Sequence, residues 1–234
     1  MSFQILQLFH TNSSPLHIDK ILAETNIPRS SLYRQIKGLL QAGLLETVGK
    51  GLYAPGWLVD EISRVKEDSF SSLIEAALPI MQELSDDLGE SINLTAVKGS
   101  KVVVLAHLES KHNLRYSYEE GQILDIFRGA SSKILLAYLA EEHQQFLINS
   151  ASSPSDKETM ERELAEIRKN GYSLTNSEVD ESAIGISAPI LRGGKYILGG
   201  LSIAGPDFRI NEDKIEEYIH RLKEAAADIS LMME

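Results

Sequence analysis

PLHIDKILAETNIPRSSLYRQIKGLLQAGLLETVGKGLY, residues 15–53, decides the fold at the amino-terminal end of this chain. Two helical patterns, 17–25 and 29–42, flank a tight turn, because Ile18, Ile21 and Leu22 recur at helical spacing before Asn26 and Pro28. A short hairpin with glycines at its tip follows. This order is typical of a winged helix-turn-helix, which places its second helix in the major groove of DNA.

Composition limits the class of protein. The chain has 234 residues, of which 43% are hydrophobic and 24% charged, as in ordinary globular proteins. It has no cysteine, which excludes disulfides, thiolate metal sites and a cysteine nucleophile. No apolar run approaches the roughly 20 residues that span a bilayer, and the first residues lack a signal-peptide pattern. We therefore expect a cytoplasmic protein that does not associate with membranes.

Charge is divided unevenly along the chain. The net charge is −11, yet the first 58 residues carry five basic and three acidic side chains. Residues 59–234 carry 18 basic and 31 acidic side chains. The division suggests a basic binding head on an acidic body.

Patterns along the chain predict two domains and a linker: a winged helix-turn-helix at 1–58, a linker helix at 59–88 and a larger domain at 89–234. Apolar residues recur at helical spacing from Val59 to Leu84, with Pro79 as a point of kinking. The same pattern fits either a core helix or an interdomain, dimerising helix.

The larger domain is predicted to be α+β, with a mostly antiparallel sheet and flanking helices. Strand and helix patterns alternate after Gly89. The expected strands are Ser91–Val97, Lys101–Leu108, Leu114–Tyr118, Ser187–Leu191 and Tyr196–Ala204. The expected helices are Ala130–Leu139, Lys157–Asn170 and Glu212–Met233.

The second helix of the turn motif supplies candidate DNA contacts. Leu32, Ile36 and Leu39 form its inward stripe, so hydroxyls, an aromatic ring and cations remain on the outside. A lysine at the hairpin tip is placed to reach a phosphate. The candidate DNA-binding residues are Arg29, Ser30, Ser31, Tyr33, Arg34, Lys37 and Lys50. A three-helix packing unit without DNA contacts is the alternative.

Several separated motifs resemble the IclR family of transcriptional regulators. The amino-terminal ones are IPRSSLYRQIKGLLQAGLLE (27–46) and GLYAPG (51–56). The others, in family order, are ASSKILLA (130–137), IRKNGY (167–172), ISAPI (186–190) and LSIAGP (201–206), with Glu90, Gly121 and Arg209. The resemblance covers nearly the whole chain. It implies a GAF-like carboxy-terminal domain that binds a small organic effector, often a carboxylate or aromatic acid.

The resemblance also implies where the effector binds. The positions that match the family's pocket are Leu124, Ala130, Ser131, Thr175, Ala183, Gly185, Ser202 and Ala204. The N–H groups of Ala130 and Ser131 would be free at a helix start and would favour an anion. Lys133 and Arg128 either add positive charge for that anion or face solvent. Ser202 is open to a second interpretation, as a strand serine bonded to backbone.

The chain departs from the family at three of these places. Ser132 replaces the usual glycine before the lysine, Ala204 stands where a hydroxyl is common, and Thr175 where some members carry a carboxylate. Fewer polar side chains then point inward. This indicates a more apolar or differently shaped ligand, or none.

The main function predicted is sequence-specific DNA binding that the effector modulates, by a homodimer or a dimer of dimers on a pseudo-palindromic operator. An enzyme is disfavoured, since no nucleophile elbow, P-loop, dinucleotide fingerprint or HExxH motif occurs. The six histidines show no metal-ligand spacing, so neither a metal nor a cofactor is expected. The second alternative is a ligand-binding or interaction protein whose head no longer binds DNA.

Overall fold

The computed structural model describes residues 2–12, 14–150 and 157–234. Spatial proximity of Cα atoms divides the chain into Met1–Ser69, here the N-terminal unit, and Phe70–Glu234, here the C-terminal unit. None of the helices in the described ranges has both the length and the apolar composition needed to cross a membrane.

The N-terminal unit contains three helices and a three-stranded antiparallel sheet in the order β1-β3-β2. Its elements are α1 (Ser2–Thr11), β1 (Leu16–His17), α2 (Ile18–Thr25), α3 (Arg29–Gln41), β2 (Leu45–Gly49) and β3 (Leu52–Pro55). Ile21, Leu32 and Ile36 are buried and join α2 to α3 in one apolar core. Asn26 makes the turn between these two helices with φ of 52°, in the left-handed region that asparagine tolerates. The predicted helix-turn-helix with a hairpin wing is confirmed.

Helix α4 (Trp57–Leu88) is the longest helix of the chain. It begins in the N-terminal unit and ends in the C-terminal unit, with Pro79 inside it. Its side chains are exposed from 60 to 68, whereas Leu73, Ala77 and Met81 are buried in the C-terminal unit. One helix therefore has a solvated first half and a core-forming second half.

The C-terminal unit is a six-stranded antiparallel sheet in the order β6-β5-β4-β9-β8-β7. Its strands are β4 (Ser91–Lys98), β5 (Lys101–Leu108), β6 (Ile123–Leu124), β7 (Ser173–Asn176), β8 (Ala183–Arg192) and β9 (Tyr196–Pro206). Its helices after α4 are α5 (Ala130–Tyr138), α6 (Glu141–Ser150), α7 (Lys157–Asn170) and α8 (Glu212–Met232).

Alternating strand residues place an apolar core on each face of this sheet. Ile92 and Leu94 of β4 belong to the cluster that includes α4 and α8 residues. Val97 and Val102 belong to the cluster formed with α5, α6 and α7. The sheet thus lies between two layers of helices, and the predicted α+β class is confirmed.

The strand predicted at Leu114–Tyr118 is wrong. This segment forms no ladder; instead β5 pairs with β6, through Val102 opposite Leu124. Its hydrogen bonds go to side chains: Ser91 Oγ donates to the Tyr116 carbonyl at 2.7 Å, and the Tyr118 N–H reaches His107 Nε2 at 3.5 Å. The alternating pattern arises because Tyr116 and Tyr118 both line a cavity. In this segment the alternating pattern arises from side chains that face one cavity, and it does not indicate a strand.

Candidate nucleic-acid interface and ligand cavity

Helix α3 presents most of the residues predicted to contact DNA to solvent. Arg29, Ser30, Tyr33, Arg34 and Lys37 are exposed, and Ser31 is half-buried. Leu32, Ile36 and Leu39 hold the opposite side of α3 in the core. The helical wheel inferred from the sequence therefore describes the exposed face of α3, apart from Ser31, whose Oγ receives a hydrogen bond from Gln35 Nε2 at 3.3 Å.

The cations of this region lack carboxylate partners among the residues that the structure describes. Arg34, Lys37 and Lys50 make no ion pair there. Arg29 lies 6.0 Å from the centre of the Tyr33 ring, a cation–π contact that keeps its charge available. Lys50 is exposed at the turn between β2 and β3, beside Gly51 with φ of 72°. Exposed, uncompensated cations are suited to phosphates and base edges.

A cavity of about 120 Å³ opens in the C-terminal unit at the start of α5. Seven residues predicted to contact an effector line it: Leu124, Ala130, Ser131, Thr175, Ala183, Gly185 and Ala204. They come from β6, α5, β7, β8 and β9, so five separate elements converge on one cavity. Arg128, one of the two cations considered above for a bound anion, also lines the cavity. The other lining residues, which the sequence does not predict as contacts, are Tyr116, Tyr118, Asp125, Gly129, Ser132, Val179, Asp180, Ile184 and Ile203.

Ser202, the eighth predicted effector residue, lies outside this lining. Its Oγ receives a hydrogen bond from Ser131 Oγ at 2.8 Å and donates to Ser187 Oγ at 2.8 Å. Ser187 Oγ in turn donates to the Leu201 carbonyl at 3.0 Å. Ser202 therefore holds the first turn of α5 against the sheet by a chain of hydroxyls.

At the start of α5 the backbone of Gly129 lies close to the Val179 side chain. Gly129, the N-cap, has φ of 83°, and a Cβ there would lie 2.8 Å from Val179 Cγ2. Both the conformation and the lack of space require glycine. This explains why the chain reaches α5 through Arg128-Gly129.

Two N–H groups at the start of α5 are already bonded. The Gly129 N–H donates to Glu178 Oε2 at 3.1 Å, and the Ala130 N–H donates to Thr175 Oγ1 at 3.2 Å. The expectation of a free Ala130 N–H is wrong, since Thr175 on neighbouring β7 accepts from it. Within the described ranges the Ser131 N–H has no partner, so one donor of the predicted pair stays open.

Lys133 neither faces solvent nor lines the cavity, contrary to both expectations. Its side chain is 7% exposed, and its Nζ lies 2.6 Å from Glu163 Oε1 and 2.6 Å from Glu178 Oε1. Burial alone would lower the pKa of this amine, but the two carboxylates raise it. Lys133 thus fixes Glu178, whose other oxygen accepts from Gly129. Arg128 lines the cavity and donates to the Glu178 carbonyl.

Ser132 contributes a buried hydroxyl without a partner. The residue lines the cavity, is 0% exposed, and its Oγ makes no hydrogen bond among the described residues. A buried unpaired hydroxyl costs about 1–3 kcal/mol. A small residue without a hydroxyl, such as alanine, would avoid this free-energy cost at position 132.

Replacing Ser132 with alanine is expected to raise the free energy of unfolding by about 1 kcal/mol, because the change removes an unsatisfied polar group and little volume. Urea unfolding of the two proteins measures the difference. Ser187→Ala is the matched control, since that hydroxyl is bonded on both sides, and it should destabilise. A Ser132→Ala protein less stable than the parent would show that the hydroxyl has a partner.

His107 supports the tyrosine wall of the cavity. Its Nδ1 lies 2.6 Å from Asn93 Oδ1, its Nε2 faces the Tyr118 N–H, and its ring meets the Tyr118 ring edge-on at 6.1 Å. This pairing requires the neutral ring, with the proton on Nδ1. Burial lowers the pKa of His107, against the opposing effect of the Glu109 and Glu120 carboxylates, and Arg115 lowers it further.

Stability is therefore expected to depend on pH through His107. The folded protein binds this proton less readily than the unfolded chain, whose histidine titrates near pH ~6.5. The contribution is complete above that pH and is lost as the pH falls through the folded pKa, with a slope of at most about 1.4 kcal/mol per pH unit. Urea unfolding of the native and His107→Gln proteins, measured between about pH 5 and 8 in steps of about 0.5 pH unit, tests this prediction. The prediction would be contradicted if the free energies of unfolding of the two proteins changed with pH in the same way.

The fold and these two sites define a class: a DNA-binding regulator with a helix-turn-helix head and a separate sheet domain that contains a small cavity. Comparison with known families identifies which one. Residues 2–49 match the IclR helix-turn-helix domain, and residues 69–231 match the bacterial transcriptional regulator IclR C-terminal domain. The chain belongs to the IclR family of transcriptional regulators.

Individual relatives agree with this. The HTH-type transcriptional regulator KipR of Bacillus subtilis is 27% identical over 98% of this chain and 94% of its own length. The crystal structure of the Thermotoga maritima IclR covers 99% of this chain and 96% of its own, at 24% identity and a TM-score of 0.65. An IclR homologue from Microbacterium hydrocarbonoxydans, complexed with 4-hydroxybenzoate, covers 99% and 97%, at 22% identity and a TM-score of 0.64.

Proposed function

We propose that the chain binds a specific operator through α3 and that a small organic effector in the cavity changes its affinity for that operator. The exposed cations of α3 and the β2–β3 turn support operator binding, since no carboxylate of the described residues forms an ion pair with Arg34, Lys37 or Lys50. In a chain of net charge −11, three exposed cations without a carboxylate partner among the described residues favour a polyanionic partner.

Within this interface the residues have different roles. Arg34 stands mid-helix between the buried Leu32 and Ile36, so its guanidinium is assigned to a base edge, where a bidentate contact reads guanine. Lys37, one turn nearer the end of α3, and Lys50 at the turn are assigned to phosphates. Ser30, Tyr33 and Arg29 flank them. Ser31 contributes less, because Gln35 already holds its hydroxyl.

The operator-binding form is proposed to be a homodimer or a dimer of dimers. One α3 reads only a few base pairs, and two half-sites about one helical turn apart supply the rest. The exposed half of α4 supports self-association, since Ile62 is 59% and Val65 is 70% exposed, three residues apart on one helix.

The effector is proposed to bind in the cavity at the start of α5. Support comes from the Ser132 hydroxyl and the Ser131 N–H, which have no partner among the described residues, and from the 4-hydroxybenzoate complex of a protein with the same fold. The effect of the effector on operator affinity is proposed to pass through the 59–88 linker. Coupling free energies of this kind are about 1–3 kcal/mol, and the coupling is reciprocal. An effector that bound free and operator-bound protein equally tightly would contradict it.

A mobility-shift experiment tests the function. The probe is the promoter region upstream of the chain's own gene, with random DNA of equal length as the control, over a salt titration. Retardation that is specific to the promoter and weakens steeply with salt is expected. Equal binding to both probes would favour the alternative, a ligand-binding or interaction protein with a degenerate head.

We assign no catalytic role to the chain. Because its proposed target is DNA, we propose that it acts in the cytoplasm.

A further inference from the structure

We propose that the cavity takes an uncharged ligand, a small amide or alcohol, because the anion site at the start of α5 is filled by the chain's own Glu178. The inference rests on the proposed function, since it names the class of effector for the same cavity. It departs from the carboxylate expected from the family resemblance.

The first argument is the bonding at the helix start. A helix N-terminus binds an anion through its unpaired N–H groups. Here Glu178 Oε2 accepts from Gly129 and Thr175 Oγ1 accepts from Ala130. Lys133 holds the second Glu178 oxygen at 2.6 Å, so the carboxylate is fixed in place. An incoming carboxylate would find one open N–H, that of Ser131.

The second argument is charge. The charged side chains at the cavity are Asp125, Asp180 and Arg128. The Arg128 guanidinium donates one hydrogen bond to the Glu178 carbonyl and keeps its positive charge. Asp180 lies close enough to the hydroxyls of Tyr116 and Tyr118 to add to the rise in their pKa caused by burial. Two carboxylates outnumber one cation here, which disfavours an anion and suits a ligand with N–H or O–H donors.

The third argument is the group left for the ligand. Among the residues that the structure describes, neither the buried Ser132 Oγ nor the preceding Ser131 N–H has a hydrogen-bond partner. One acceptor and one donor on a neutral ligand satisfy both, as the carbonyl and amino group of an amide do. The volume of about 120 Å³ is comparable to an apolar cavity of about 150 Å³ that holds benzene. A ligand of one small ring or a short chain therefore fits.

Calorimetric titration of the full chain with two pairs of probes tests the inference: benzamide against benzoate, and butanamide against butanoate. We expect each amide to bind at least about tenfold tighter than its carboxylate. Ser132→Ala should weaken amide binding by about five- to tenfold. Carboxylate binding as tight as, or tighter than, amide binding overturns the inference and leaves the proposed effector cavity standing.

A pair of variants isolates Glu178. In Glu178→Gln the preference for the amide should narrow by at least about fivefold, because one fixed negative charge is gone. In Glu163→Gln the preference should stay the same, since Glu163 also pairs with Lys133 but accepts no hydrogen bond from the α5 N–H groups among the described residues. An equal change in both variants overturns the role of Glu178, and if Glu178→Gln does not fold, the native preference and Ser132→Ala decide. Binding of no probe at all overturns the proposed cavity itself.

Discussion

Arg209→Ala is expected to lower the free energy of unfolding of the C-terminal unit by about 3–5 kcal/mol. The Arg209 guanidinium forms a two-point contact with Glu90, Nε to Oε1 at 2.7 Å and Nη2 to Oε2 at 2.8 Å. The Glu90 side chain is 2% exposed. Removing the guanidinium would leave a carboxylate buried without its cation, and that penalty exceeds the net value of the pair.

Urea unfolding followed by far-ultraviolet circular dichroism measures this loss, because the single tryptophan, Trp57, lies in the N-terminal unit. The control is the double variant Glu90→Met, Arg209→Met, which removes both charges and should cost less than Arg209→Ala alone. Arg209→Lys should fall between them, since an ammonium cannot reproduce the two-point contact. A loss below about 1 kcal/mol in Arg209→Ala would place the pair among solvent-screened surface bridges.

Arg34→Ala is expected to weaken operator binding by about 5- to 150-fold, equivalent to about 1–3 kcal/mol, and to relax the preference at one base pair. Arg34 is exposed on α3 and has no carboxylate partner among the described residues, so its guanidinium needs no rearrangement to bind DNA. Lys37→Ala should weaken binding to all sequences alike and reduce the salt slope by about one.

Lys101→Ala is the control for Arg34→Ala, because it removes the same charge from an exposed position at the start of β5 in the C-terminal unit. Fluorescence anisotropy with the promoter fragment and with single-base variants of it measures both affinity and preference. Equal losses in Arg34→Ala and Lys101→Ala would show that net charge alone matters. An unchanged affinity in Arg34→Ala would remove this residue from the interface.

Much of the fold follows from local patterns. Helical spacing of apolar residues places α3 and α7 within one residue of their observed ends. The glycine-rich turns at 49–51 and 193–194 locate the β2–β3 and β8–β9 hairpins. Short elements with weak patterns, such as β6 and β7, were not predicted, because neighbouring strands decide such pairings.

The cavity shows where sequence reasoning ends. Seven of its residues follow from the family resemblance, but Tyr116 and Tyr118 do not, since an alternating pattern is equally typical of a strand. A further signal is Asp180, which lies close in sequence to the predicted cavity residues Thr175 and Ala183. Their convergence depends on the loops between strands, which carry no periodic pattern.

Periodicity and motif order along the chain are sufficient to predict the helix-turn-helix, the α+β class and the family. Which polar groups remain available depends instead on the folded arrangement. Lys133 and Glu178 are 45 residues apart, as are Ala130 and Thr175, and their pairing consumes the donors that sequence alone assigns to a ligand. Hydrogen bonds are short-ranged, so their partners are set by distance in space and cannot be read from spacing along the chain.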